Sequence, residues 1–303
     1  MLLALLQLSP AVATALAHHA PVVALESTLI THGLPHPDNV AAARRAEAAV
    51  RAGGAVPATI ALHDGRIMVG LDDAQLEELG RARGVPKVSR QNLAAVLGRP
   101  GWAGTTVSAT MIAANLAGIR VFATGGIGGV HRGGEDSLDI SADLEELART
   151  PVAVVCAGPK SILDVPRTLE VLETRGVPVV GWGTDEVPGF FARTSGHRAP
   201  SRTDTPAEAA DLVRRQQALG LGGGVLFCVP IPEAAAIAQD EMEAVIARAV
   251  RETEEAGIHG PASTPAVLSR VAALTGGRSV VANLALIEHD AATAASLAVA
   301  LSG

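Results

Sequence analysis

The sequence predicts an α/β protein whose mixed, mostly parallel sheet is covered by helices on both faces. Short apolar runs alternate with segments of helical pattern, the order that builds a parallel sheet under flanking helices. Asp64-Gly65, between two of the runs, fits a two-residue primed turn and adds an antiparallel hairpin. With 303 residues, 48% hydrophobic and 18% charged, the chain can bury a large core. No Ser/Pro-rich linker or composition shift marks a boundary, so residues 1–303 are read as a single domain.

In chain order, MLLALLQLSP is too short for a membrane span and lacks a basic leader before it; it is expected to pack on the body. Strands are expected at 21–27, 57–63, 66–71, 120–126, 151–158, 177–183 and 224–230, each a short apolar run bounded by turn residues. Helices are expected where a capping residue opens a segment and a glycine closes it. These are Asp38 to Gly53, Asp72 to Gly84, Thr105 to Gly118, Asp164 to Gly176, Thr205 to Gly220 and Thr264 to Gly276. Longer helices are expected over 233–256 and 279–301.

A net charge of -7 argues against a nucleic-acid or anionic-membrane surface, which requires a positive footprint. With four Phe, two Trp and no Tyr, stacking platforms for single strands are missing too. Cys156 and Cys228 lie inside apolar runs, as buried reduced thiols do, which predicts a reducing, cytoplasmic setting.

Open α/β sheets bind ligands beyond the carboxyl ends of their strands. Three junctions there carry polar chemistry: Glu26-Ser27-Thr28, the glycine-rich ATGGIGGVHRGG, and Gly158-Pro159-Lys160-Ser161. Glu26 can donate a proton there, or simply pair with an arginine. Lys160, in a short loop after a very apolar strand, can attack a carbonyl or sugar carbon, or remain an exposed loop lysine. The glycine segment offers backbone N–H groups to an anion, or makes a tight turn. It is not a dinucleotide fingerprint, because His131 stands where the third glycine belongs. In DSLDISADLEEL, Asp139 and Asp143 would share a face if helical and suit a hard cation such as Mg²⁺ or Mn²⁺; Ser141 could cap the helix that follows. His32, His36 and His131 lack zinc-ligand spacing and read as turn or pocket residues. Lys87 and Asn283 do not stand out by spacing alone.

Taken together, ALESTLITHGLPHPDN, VPATIALHDGRIMVGL, KVSRQNL, GTTVSATMIAANLAGIRVFATGGIGGVHRG, DISADLEELA, VAVVCAGPKSILD and PIPE resemble the pseudouridine-5′-phosphate glycosidase, or indigoidine synthase A-like, family over about residues 5–300. The resemblance implies a three-layer α/β/α sandwich, a homotrimer, and a divalent ion, usually Mn²⁺. It implies reversible cleavage of pseudouridine 5′-phosphate to uracil and ribose 5-phosphate through a lysine imine with ring-opened ribose. By motif match, Glu26 would be the proton donor and Lys160 the nucleophile. Asp139 would hold the metal, and Lys87, Val107, Ser141, Ala142 and Asp143 would line the substrate. Thr124 and Asn283 are added as substrate contacts, and His131 and Arg132 as the expected phosphate site. Pro159 departs from the pattern, where a small residue is expected, and stiffens the loop before Lys160.

Overall fold

The computed structural model describes residues 5–258 and 263–303, without the side chains of 135, 136 and 263–265. Its strands are β1 (Leu6–Leu8), β2 (Val22–Leu25), β3 (Val56–His63), β4 (Arg66–Val69), β5 (Lys87–Val88), β6 (Trp102–Thr105), β7 (Val121–Ala123), β8 (Val130–His131), β9 (Ala153–Cys156), β10 (Leu163–Asp164), β11 (Val179–Trp182), β12 (Ser201–Thr203) and β13 (Val225–Cys228). Among the described residues one sheet runs β1-β4-β3-β2-β7-β9-β13-β11-β12, with β6 on β3 and β5 on β6. From β3 to β12 every neighbour along this path is parallel. The antiparallel β3–β4 hairpin makes the sheet mixed. It turns at Asp64 (φ 45) and Gly65 (φ 78), the two positive φ angles that a type I′ turn requires.

Side chains on successive strand residues point to opposite faces, and the core divides accordingly. Val23, Leu25, Val121, Ala123, Val155 and Phe227 join one cluster with the helices Asp38–Ala52, Pro206–Ala218, Gln239–Glu255 and Arg278–Ser302. Val22, Ala24, Phe122, Val154, Cys156, Leu226 and Cys228 join the other, under Pro10–Ala17, Val107–Ala117, Ala142–Leu147 and Val165–Thr174. Three layers result, as expected. Arg278–Ser302 is long and apolar enough to cross a membrane, yet it buries Ala282, Leu286, Ala291, Ala294, Leu297 and Leu301 inside the protein.

Several elements differ from the sequence expectation. The expected helix from Thr105 starts at Val107, because Thr105 closes β6 and Thr106 is the cap that accepts from Ala109 N. The segment 233–256 is broken into a 3₁₀ turn, Glu233–Ala235, and a helix from Gln239. The N-terminal piece is an edge strand, β1, parallel to β4, followed by a helix capped by Ser9. The expected cap Thr264 lies outside the described side chains.

The short helix Ala142–Leu147 is tied to its neighbours through fully buried Glu146. Its carboxylate accepts from Arg90 Nε (2.7 Å) and Nη2 (2.8 Å), from Ser108 Oγ (3.3 Å), and from the Thr150 hydroxyl. Removing it strands those donors. Glu146→Ala is expected to lower unfolding free energy by about 3 kcal/mol, read from urea denaturation; a loss within experimental error would refute this clamp.

Candidate active site

The site forms where β2 stops. The first half of β3 pairs with β2, whereas its last residues, Ala61–His63, pair with β6 arriving from the other direction. Leu25 is the last rung of β2, so Glu26 leaves the sheet at this exchange. Beneath it, Ser27 Oγ accepts from Thr105 N (2.9 Å), and Thr28 Oγ1 donates to Thr105 O (2.6 Å). These bonds fix where the chain turns into the helix Thr28–His32.

The β7–β9 ladder continues beyond both strands. Thr124 N donates to Val155 O (3.1 Å), Ala157 N to Gly125 O (3.1 Å), Ile127 N to Gly158 O (3.1 Å) and Lys160 N to Ile127 O (3.0 Å). Lys160 is thereby placed beside the glycine loop by backbone bonds alone, and Pro159 is accommodated as the partner of Ile127 in an isolated bridge.

A cavity of about 390 Å³ opens at these strand ends, a size suited to a small ligand. Its polar lining includes Glu26, His32, Lys87, Thr124, Lys160 and Asn283, and Phe190 and Phe191 form part of its apolar wall. Residues spread over more than 250 positions in sequence thus meet in one place. Glu26 and Lys160 are half-buried, and Thr124 is buried with its hydroxyl donating to Glu26 Oε1. Lys87 comes in on β5, whose pairing with β6 aligns it with Gly104. Lys87 retains solvent contact; even so, burial of its ammonium is the main cause lowering its pKa, and the charge of Lys160 is the second.

His32 was legible only as a turn or pocket residue. It lines the cavity with Nδ1 2.7 Å from Thr31 Oγ1, and its pKa is lowered by burial first and by Lys87 second. That favours a neutral imidazole. A histidine following a strand-end Glu-Ser-Thr by a few residues was the available signal.

The other expected site residues lie around the cavity rather than on its lining. Asp143 is a backbone clamp: Oδ1 accepts from Ser108 N (3.0 Å) and Oδ2 from Gly128 N (2.8 Å). Its charge still reaches Lys87. Ser141 caps the helix begun by Ala142, its Oγ accepting from Asp143 N (3.2 Å). Val107 is buried at the first turn of its helix. Asp139 and Asp143 do not share a helical face, because the helix begins only at Ala142; Asp139 is exposed and Asp143 buried. His131 is half-buried in β8, opposite Leu163. Arg132 lines a different cavity of about 410 Å³, which it shares with Pro159 and Ser161.

The glycine loop is explained by close packing. The N–H groups of Ile127, Gly128, Val130 and His131 donate to Gly158 O, Asp143, Thr168 Oγ1 and Asp139 O. A Cβ on Gly126 would stand 2.6 Å from the Phe190 ring and 2.9 Å from Gly158 O, too near for any side chain.

Among the described residues no three His, Cys, Asp or Glu side chains converge as metal ligands. Asp139, an exposed carboxylate, suits a hard ion that keeps most of its water.

Comparison with known proteins follows this architecture closely. The indigoidine synthase A-like protein family matches residues 11–300. A pseudouridine-5′-phosphate glycosidase of Methylobacterium nodulans is 59% identical over 99% of this chain and 89% of its own length. That of Solibacter usitatus is 57% identical over 97% of this chain and 98% of its own. Among solved structures, the prealnumycin C-glycosynthase AlnA in complex with ribulose 5-phosphate superposes with a TM-score of 0.91 at 41% identity, covering 98% of this chain and 97% of that one. An indigoidine synthase A-like protein of Thermotoga maritima gives 0.89 at 35% identity, over 99% of this chain and 97% of that one. The chain is therefore an enzyme belonging to the family of indigoidine synthase A-like proteins.

Proposed function

We propose that this enzyme reversibly cleaves the carbon–carbon glycosidic bond of pseudouridine 5′-phosphate, giving uracil and ribose 5-phosphate. The observation that carries the reading is the meeting of a carboxyl, Glu26, and an amine, Lys160, in one cavity at the strand ends. Uracil attached through carbon is a poor leaving group, and a covalent route divides the difficulty. Glu26 protonates the ribose ring oxygen as the C1′–O4′ electron pair moves onto it, and the lone pair of Lys160 Nζ takes C1′. The ring is then open, and the Glu26 carboxylate takes the proton that the amine adduct sheds. Returned by Glu26 to C5 of uracil, that proton lets the C1′–C5 pair return to the pyrimidine ring, while the nitrogen lone pair forms the C1′=N imine. Water adds to that imine and releases ribose 5-phosphate from Lys160.

Lys87, beside the start of the helix Val107–Ala117, is assigned to the substrate phosphate. Thr106 N donates to Val88 O (2.9 Å), which keeps that helix start beside the lysine. An ammonium favours an anion, whereas the first N–H groups of that helix are already used, Ser108 N by Asp143 Oδ1 and Ala109 N by Thr106 Oγ1. The expected role of Arg132 and His131 is weakened by the separate cavity that Arg132 lines. Asn283 offers an amide donor and acceptor to the imide edge of uracil.

The direct test is incubation with pseudouridine 5′-phosphate, with uracil and ribose 5-phosphate both quantified. Release of both in equal amounts supports the reading. Release of an aldehyde fragment without uracil favours a different lysine-dependent lyase, and no turnover with tight binding favours a nucleotide-binding protein.

Asp139 would hold a hydrated Mn²⁺ ion, which would supply positive charge to the site. Asp139→Asn is expected to raise the Mn²⁺ concentration needed for half-maximal ion binding roughly tenfold, measured by electron paramagnetic resonance of free Mn²⁺. Unchanged ion binding would remove Asp139 from this role.

A further inference from the structure

Strands β2 and β7 are parallel neighbours in the register Leu25 to Ala123. The next residue on each, Glu26 and Thr124, therefore leaves the sheet side by side, and the Thr124 hydroxyl donates to Glu26 Oε1. The hydroxyl is held from several directions. Thr124 N is bonded to Val155 O (3.1 Å), the residue is only 4% exposed, and a β-branched side chain has little freedom at χ1. The other hydroxyls at this strand end are engaged elsewhere: Ser27 Oγ with Thr105 and Thr28 Oγ1 with Thr105 O.

We propose that Thr124 is a positioning residue that divides the labour of the Glu26 carboxyl, holding Oε1 so that Oε2 carries the proton given to the substrate. The inference rests on Glu26 being the proton donor. A carboxylic acid has one oxygen that accepts well and one that bears the hydrogen. A hydroxyl donated to Oε1 makes it the accepting oxygen and leaves the proton on Oε2. The same bond also acts during the reaction. As the proton passes from Oε2 to O4′ and the C1′–O4′ bond opens, Glu26 becomes a carboxylate. A hydrogen bond to a charged acceptor is about twice as strong as one to a neutral acceptor. The Thr124 bond therefore stabilises the transition state more than the bound substrate, and its loss falls on kcat rather than KM.

This separates Thr124 from a substrate contact, whose removal raises KM, and from a packing residue, whose removal lowers stability. The test uses Thr124→Val, which keeps the shape and loses the hydroxyl, Thr124→Ser, which keeps the hydroxyl, Glu26→Gln, and the double variant Glu26→Gln/Thr124→Val. Uracil release and the urea unfolding midpoint are measured for each. Thr124→Val is expected to lower kcat roughly ten- to thirtyfold with KM changed less than about twofold, and Thr124→Ser to recover most of the rate. Because Thr124 acts through Glu26, the double variant is expected to be no slower than Glu26→Gln.

A raised KM with unchanged kcat would overturn the proposal in favour of a substrate contact. Equal impairment of the Ser and Val variants, or a further loss in the double variant, would overturn it as well. Glu26→Gln tests the underlying reading separately: if it turns over at the wild-type rate, the proton-donor role of Glu26 fails, whatever Thr124 does. If Glu26→Gln is slow and Thr124→Val is not, only the positioning role fails.

Discussion

Lys160→Ala is expected to reduce uracil release on the order of 10⁵-fold, the scale seen when a covalent nucleophile is removed, while leaving the fold intact. The segment is held by backbone bonds from Lys160 N to Ile127 O and from Leu163 N to Lys160 O, neither of which needs the side chain. The same variant is expected to lose the adduct that borohydride traps when the enzyme is incubated with ribose 5-phosphate, read by intact-protein mass. The cavity contains a second amine, and it gives this experiment its force. Lys87 also lines the cavity, and burial together with the charge of Lys160 lowers its pKa, which makes it the natural rival for the imine. Peptide mapping of the trapped wild-type protein distinguishes the two. An adduct on Lys87 that survives in Lys160→Ala would transfer the nucleophile role; an adduct confined to Lys160 leaves Lys87 as the anion-binding cation.

Much of the frame was legible because burial imposes patterns on sequence. PVVAL, PVAVVC and GVLFC are short apolar runs of the kind a strand covered on both faces carries, and Asp64-Gly65 names its own turn. The short strands that bring in Lys87 were less visible. Lys87–Val88 is too short to show a period, and Trp102–Thr105 reads WAGT, with no alternation; both exist through pairing to β3 and β6. Glu26 and Lys160 could be found from their position after apolar runs, but a sequence position gives no contact. That Asp143 clamps two backbone N–H groups, or that the glycines face Phe190, Ser141 and Thr168 at close range, depends on segments far apart in the chain. Acidic and glycine-rich stretches therefore read as ligand-binding chemistry when part of their work is to hold loops. His32 was read only as a turn or pocket residue, because its one signal, following a strand-end Glu-Ser-Thr by a few residues, names no chemistry.

Glu26→Gln is expected to slow uracil release from pseudouridine 5′-phosphate by roughly 10²- to 10⁴-fold, the range for loss of a general acid. Its amide can still accept a hydrogen bond from Thr124, so the geometry of the strand end is preserved, but it has no proton to deliver to O4′. Unlike Lys160→Ala, this variant is expected to keep the borohydride-trapped adduct with ribose 5-phosphate. The open-chain form of that sugar already presents a free aldehyde, and the amine reaches it without any ring opening. The two variants thus dissociate the two halves of the chemistry: one lacks the covalent bond, the other lacks the proton that opens the ring. Should Glu26→Gln lose adduct formation as completely as Lys160→Ala, Glu26 would be acting on the lysine rather than on the sugar. If it keeps both adduct and turnover, proton delivery must come from another protonated group in the cavity, of which Lys87 is the first to replace.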